Sequence, residues 1–423
     1  MNFDKSVIKR LTVFLTGNVV AQGTAAISGL LLARWLSVED YAAYTIIIVL
    51  MGAITLLTKG GAHLGYTAIL GRVWPDMNRV SGAILAVLSI RKLISLIIMP
   101  FLILTTWVLL RNNEVSQLHT NLILIFFILF WWADLRTRLV DQVLYFAKQT
   151  TKIQILDTVL SFIRLLCIFI LFYFGILNLV TAVFLSVLVA LLRIRPILKW
   201  IDLLLPKEKV KVPLDSDLIE IKQGVKRQMP VELYTVFQSQ LILIVLTLYG
   251  TVNEVAGFGA LTRINQLLLP VEALTFAFLI PYFSRSNTIQ AFKIYFPLVF
   301  MTLIPGLVLL NLALFFPQLL LWIVGPNYAD LNHELIIAVS VAVFLRGTHT
   351  AWALLAHRGW VKFSWVQIPV GLSLCLISPL FLDLSKLSDA LLLQLAFGIG
   401  VFCATSFDFY FAFKNRNMKL HTD

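Results

Sequence analysis

Apolar residues run through this chain in blocks of about twenty, separated by short polar turns. Neither the two-residue alternation of a strand nor the narrow apolar stripe of a soluble helix describes them. A hydrocarbon core about 30 Å thick takes about 20 helical residues, and a helix satisfies its own backbone groups where no water can. Blocks at 11–33, 41–62, 93–110, 119–143, 155–175, 178–198, 230–250, 255–282, 294–316, 333–356, 363–382 and 390–413 are therefore predicted to be twelve membrane-spanning helices.

Composition agrees. Of 423 residues, 59% are hydrophobic and 13% charged, against roughly 25% charged in soluble domains, and the mean hydropathy is +0.89. The net charge of +12 would suit nucleic acid only if the basic residues shared one folded face. They fall between apolar blocks instead, so no nucleic-acid partner is expected. Cys167, Cys375 and Cys403 each sit inside a block and suggest neither a disulfide framework nor a metal site. No Gly-rich phosphate loop or His-Glu-x-x-His pair occurs, so no catalytic residue, metal or cofactor is expected.

Orientation follows from Lys and Arg, which collect in cytoplasmic connections. Even-numbered connections and both tails carry most of them, including Lys5, Arg72, Arg79, Arg91, Lys92, Lys199, Lys226, Lys293, Arg358 and Lys414, whereas the odd ones carry only Arg34, Arg111 and Lys386. Both termini are expected in the cytoplasm.

A repeat lies in the turns. Ser37-Val38-Glu39-Asp40-Tyr41-Ala42-Ala43-Tyr44 aligns without a gap on Thr251-Val252-Asn253-Glu254-Val255-Ala256-Gly257-Phe258. Six predicted helices separate them, an even number, which predicts two parallel six-helix halves. The expected division is an N-terminal half at 1–200, a cytoplasmic linker with an amphipathic segment at 201–228, and a C-terminal half at 229–423. The expected fold is an all-α polytopic membrane protein with these halves around a central cavity.

Charges inside spans cost at least about 2.5–3.5 kcal/mol each at the bilayer centre, so they usually face a cavity or a partner. At 100° per residue, Asp134, Arg138, Asp141, Tyr145, Lys148 and Lys152 would share one helix face. Further polar faces carry Lys59 in the second span with His63 just after its end, Asp157 and Arg164 in the fifth, Glu232 in the seventh, Arg263 in the eighth and Arg346 in the tenth. Asp134 with Arg138 and Asp141 also fits a self-neutralising structural network. Arg263 and Arg346 have no acid three or four residues away, which favours a place on a polar lumen.

The run Asn18-Val19-Val20-Ala21-Gln22-Gly23, leading into Leu30-Leu31-Leu32-Ala33-Arg34-Trp35-Leu36-Ser37-Val38-Glu39-Asp40-Tyr41, resembles the first span and turn of the polysaccharide flippases of the multidrug/oligosaccharidyl-lipid/polysaccharide exporter superfamily. Ala256-Gly257-Phe258, Arg263-Ile264 and Leu279-Ile280-Pro281-Tyr282-Phe283-Ser284 are similar to that family's eighth span, and Gly325-Pro326-Asn327-Tyr328 to its turn before the tenth. A departure is Ala42-Ala43, where the family has Gly after Asp-Tyr.

The resemblance implies translocation of an undecaprenyl-diphosphate-linked oligosaccharide, an O-antigen, capsule or exopolysaccharide repeat unit, by alternating access. It implies Arg263, Arg346 and Arg164 as anion contacts, and Arg138, Lys59 and His63 at the cytoplasmic entrance. Asp134, Asp141, Asp157 and Glu232 are the expected lumen or coupling acids. Expected partners are membrane lipids, a coupling ion (proton or sodium), and the glycan polymerase and glycosyltransferases of the same route. Two alternatives stay open: a drug/cation antiporter of the same superfamily with Asp134 or Asp141 as coupled acid, and a membrane glycan polymerase or ligase.

Overall fold

The computed structural model describes residues 5–206 and 212–420. Among them the only regular structure is helical. The helices pack into two compact units, Met1–Ser28 with Trp35–Thr247, and Gly29–Arg34 with Leu248–Asp423.

The first unit holds α1 (Lys5–Trp35, less its last turns), α2 (Val38–Lys59), α3 (Ala62–Val73), α4 (Met77–Asn112), α5 (Gln117–Thr137), α6 (Gln142–Phe146), α7 (Thr150–Tyr173), α8 (Leu179–Asp202) and α9 (Asp215–Tyr249). Here α5 packs on α8, α2 on α4 and α5, and α7 on α8. The second unit holds α10 (Val252–Asn265), α11 (Leu269–Leu274), α12 (Ile280–Arg285), α13 (Thr288–Phe315), α14 (Pro317–Val324), α15 (Asn332–Ala356), α16 (Gln367–Ile377) and α17 (Leu387–Leu420). Its centre is α15, packed against both α13 and α17.

Every predicted span falls on helical structure. Nine helices among the described residues are long and apolar enough to cross a bilayer, and Ser364–Leu380 is a shorter apolar one. With α1 and the α10 to α12 segment, the chain is an all-α polytopic membrane protein with about twelve spans. The predicted span 255–282 is not one rod: a 3-10 turn at Gln266–Leu268 and a π-turn at Thr275–Leu279 divide it, with Pro270 and Pro281 opening α11 and α12. Each proline lacks the N–H that a helix interior would use, so the chain restarts there.

Two expectations need correcting. The stripe from Asp134 to Lys152 does not lie on one helix. The chain leaves α5 at Arg138 (φ −66, ψ 142), takes positive φ at Leu139 and again at Lys148, and forms only the short α6 between. Arg91 does not lie in a polar connection either. It sits inside α4, which runs 36 residues from an Asp76 cap and therefore extends about 54 Å, and its side chain is fully buried.

The polar stretch before the seventh span is largely helix. Residues 215–228 are the first turns of α9 itself, and they cross α3 at van der Waals contact of the two backbones. A Cβ on Gly61, whose φ is +81, would lie 2.6 Å from the Gly224 carbonyl oxygen, and one on Gly65 would lie 2.8 Å from the Ile221 Cα. Any side chain there would force the helices apart. Arg72 pairs with Glu220, and Arg79 with the buried Asp217 at 3.3 Å, beside this crossing.

The repeated turns have one geometry. Ser37 accepts a hydrogen bond from the Asp40 N–H at 3.1 Å and caps α2, and Thr251 accepts from the Glu254 N–H at 3.3 Å and caps α10. Each acid then reaches the last helix of its own repeat: Asp40 accepts from the Leu179 N–H at 3.1 Å, Glu254 from the Leu387 N–H at 2.8 Å. A carboxylate at a helix N-terminus is favourable because the free N–H groups and the helix dipole both present positive charge.

Candidate functional site

Within the first unit, the end of α5 is built around Arg91. When a helix stops, its last carbonyls lose their partners. Arg91 Nη1 donates to the carbonyls of Asp134 (3.3 Å), Leu135 (3.1 Å) and Arg138 (2.7 Å). Its Nη2 donates to Asp134 Oδ2 at 2.9 Å and Thr58 Oγ1 at 3.2 Å, and its Nε to the Thr58 carbonyl at 3.4 Å. Every nitrogen of this guanidinium is used, which is what a buried cation requires. Asp134 Oδ1 accepts further from Thr55 Oγ1 and Arg138 Nε, both at 3.2 Å.

Asp134 is therefore held by two arginines and a hydroxyl, as in the self-neutralising network expected from its spacing, except that its closer cation comes from α4. Lys59 feels the charges of Arg91 and Arg138 as well as those of Asp134 and Asp141, and Asp141 is itself paired with another arginine, Arg193. Arg91 has no nitrogen to spare, but half of the Arg138 side chain is exposed, and the half-buried Lys59 adds a second cation that a ligand can reach. His63, just beyond the end of α2, has a buried Nδ1 without a partner. Burial, helped by the Lys59 ammonium, holds its imidazole below the usual histidine pKa. Glu232 on α9 interacts electrostatically with Lys59 and is hydrogen-bonded by Gln228.

A second network joins α6, α7 and α8. Arg193 donates from Nη2 to Asp141 Oδ2 at 3.0 Å and from Nε to Asp157 Oδ1 at 2.9 Å. Arg164 on α7 has a different environment. It donates from Nη2 to the Tyr44 hydroxyl at 2.6 Å, and its Nε is buried and unpartnered.

In the second unit, Arg263 Nη1 donates to Gln266 Oε1 at 3.2 Å. Gly29 makes room for this side chain, since a Cβ there would come within 2.9 Å of Arg263 Cδ. Arg346 has no acid on its own helix three or four residues away but finds one on α11, donating from Nη2 to Glu272 Oε1 at 3.1 Å, while its Nε is buried without a partner. Asp408, another buried acid, caps a loop by accepting the N–H groups of Lys362 and Phe363 at 2.6 and 2.8 Å. The glycine of the Gly325-Pro326-Asn327-Tyr328 turn takes φ +133, with the backbone of Arg34 3.1 Å from where a Cβ would stand.

The predicted residues thus fall into separate groups: Asp134 with Arg138 and Lys59, Asp141 with Asp157, Arg164 with Tyr44, and Arg346 with Glu272. Sequence reasoning missed Arg91 and Arg193, the cations that tie the first two groups together. Arg193 lies within the predicted span 178–198, where an embedded cation is a signal in itself; Arg91 lies outside any predicted span.

No family model matches the sequence, nor does any curated protein. The fold does have solved counterparts. An inward-facing multidrug resistance MATE family transporter of the MOP superfamily superimposes with a TM-score of 0.73 at 14% identity, over 94% of this chain and 96% of that one. Lipid II flippase MurJ, in an inward closed conformation, superimposes with 0.67 at 11% identity, over 92% and 86%. A MOP superfamily transporter from Pyrococcus furiosus, described by the reversed polarity of its binding pocket, gives 0.59 at 14% identity, over 97% and 95%. The chain is a multi-pass helical membrane protein with the fold shared by these transporters.

Proposed function

We propose that this protein is a flippase that carries an undecaprenyl-diphosphate-linked oligosaccharide across the bacterial inner membrane by alternating opening of its two halves. A diphosphate with a sugar head cannot enter hydrocarbon unaided, because removing its hydration costs many kcal/mol. Guanidinium and hydroxyl groups on the path replace that hydration while the prenyl tail stays in lipid. The observation that carries this reading is the surplus of cation over acid in the polar groups of the first unit: Lys59, Arg91, Arg138, Arg164 and Arg193 against Asp134, Asp141, Asp157 and Glu232. The likeness to a lipid II flippase supports it.

The MATE likeness favours a drug/cation antiporter as a second reading. Against it, the acids it would use are bound by arginines: Asp134 by Arg91 and Arg138, Asp141 by Arg193. A coupled acid must bind and release a proton or a sodium ion once per cycle, and here either would have to compete with an arginine already bound to the carboxylate.

The test is surface glycan in cells carrying Arg263→Ala with Arg346→Ala. Glycan should be lost while protein abundance is kept, and normal glycan rejects the assignment. Because Arg346 is paired, Glu272→Gln with Arg346→Gln separates a structural pair from a substrate contact: export should remain lost although no charge is left unpaired.

A further inference from the structure

The eighth predicted span is broken twice, and the piece between the breaks is tied to a long helix of its unit by one charge. That piece is α11, set between the 3-10 turn at Gln266–Leu268 and the π-turn at Thr275–Leu279. Its main neighbours are those two turns. Prolines at 270 and 281 keep it from fusing into a longer rod. Irregular backbone at membrane depth is tolerated only inside protein or along a water-filled cavity, and single π-turns often mark functional sites. The sequence of α11, Leu269-Pro270-Val271-Glu272-Ala273-Leu274, contains one polar side chain. That side chain accepts from Arg346 Nη2 of α15 at 3.1 Å.

The pair is lopsided. The Arg346 side chain is 10% exposed and the Glu272 side chain 53%, so the guanidinium is held among its neighbours while the carboxylate borders accessible space. Arg346 Nε is buried and has no partner. Nε and Nη2 form one edge of the guanidinium, and Glu272 uses only half of it. An anion with two oxygens side by side fills that edge completely, as phosphate does, but only by taking the place of Glu272.

We infer that Glu272 is a built-in placeholder for the diphosphate of the substrate: the diphosphate displaces the Glu272 carboxylate from Arg346, and α11, having lost its tie to α15, moves. The inference rests on the flippase reading and adds which group the substrate displaces and which segment answers. One anion replaces another throughout, so the guanidinium is never left bare in the interior, where an uncompensated charge is costly. The released carboxylate, already half exposed, is hydrated instead. A diphosphate gripped through both nitrogens outcompetes a carboxylate held through a single oxygen.

The test follows hydrogen exchange at 269–274 in the full chain, reconstituted in nanodiscs with undecaprenyl diphosphate or with undecaprenol, which has the tail and no phosphate. The diphosphate lipid should speed exchange there and undecaprenol should not. Inorganic pyrophosphate should also speed it, against sulfate at equal ionic strength, since salt alone screens an exposed pair. Glu272→Gln should exchange fast with no lipid added and retain undecaprenyl diphosphate about fivefold more tightly by native mass spectrometry, the gain from removing a half-exposed competing charge. Glu272→Asp, which keeps the charge and shortens the reach, serves if that variant does not fold. Arg346→Gln should exchange fast and retain the lipid weakly. Exchange unmoved by the diphosphate lipid, moved equally by undecaprenol, or Glu272 variants that retain the lipid no better than wild type, overturns the inference. A response to pyrophosphate without one to the lipid also overturns it, assigning the pair to a free anion. These readouts involve neither sugar nor export, so the two readings fail separately. Lost export in the arginine variants with α11 unmoved leaves only the flippase, and a moving α11 in a protein whose arginine variants export normally leaves only the placeholder.

Discussion

Arg91 and Asp134 meet at 2.9 Å with both side chains buried, and the same guanidinium closes the three carbonyls at the end of α5. One side chain thus serves as counter-ion and as helix cap. Neutralising only one partner leaves a bare charge in the interior, which is costlier than having no pair at all.

Arg91→Ala should lower stability by about 3–5 kcal/mol, read as lost abundance and a lower unfolding temperature in detergent. The double variant Arg91→Met with Asp134→Leu should recover part of this and no more, because the carbonyls of Asp134, Leu135 and Arg138 stay unsatisfied. Full recovery would show that the capping bonds contribute nothing.

The crossing of α3 and α9 predicts a contrast between glycines. Gly61→Ala adds a Cβ against the Gly224 carbonyl at a residue with φ +81, and should cost about 1–3 kcal/mol. Gly52→Ala, on α2 with nothing within 4 Å of the added atom, should be neutral or stabilise by up to about 1 kcal/mol. Thermal unfolding of the two purified variants side by side decides it.

The paired acids of the repeated turns predict equal behaviour. Asp40→Ala and Glu254→Ala each remove a cap from the last helix of their repeat, and each should cost about 1 kcal/mol. Hydrogen exchange should increase at the start of α8 in the first variant and of α17 in the second. Exchange unchanged at both helix starts would refute the capping role.

Acid should single out His63. Its pKa lies below the ordinary histidine value in the folded protein, so on acidification the unfolded chain takes up a proton first, and the stability held by the neutral imidazole is lost as pH falls through about 6.5. Wild type should therefore lose more thermal stability than His63→Gln does between about pH 7.5 and about pH 5.5, values that bracket the ordinary histidine pKa. Parallel losses would place the titration elsewhere.

The spans were legible in the sequence because lipid demands continuous apolar runs, and a run of about twenty suits little else. The repeat was legible because capping restricts residue type at a few fixed positions, as with Ser37 and Thr251. The break after Asp134 was not. No glycine or proline marks Leu139 or Lys148, both of positive φ: Leu139 follows the Arg138 carbonyl that Arg91 holds, and Lys148 closes α6, with the Gln149 N–H on the Leu144 carbonyl at 2.8 Å. Arg91 itself was hidden because Arg91-Lys92 interrupts an apolar run that already begins at Val80, and α4 carries straight through the interruption. Partners on distant helices, such as Glu272 for Arg346, leave no trace in local spacing.

The matched turns also bear on how the chain is assembled during translation. Because Asp40 fastens Leu179 and Glu254 fastens Leu387, neither half can latch its first hairpin to its last helix until that helix has left the ribosome, and the N-terminal latch is complete while most of the other half is still unmade. Insertion then proceeds in two instalments, each finished by the same clasp.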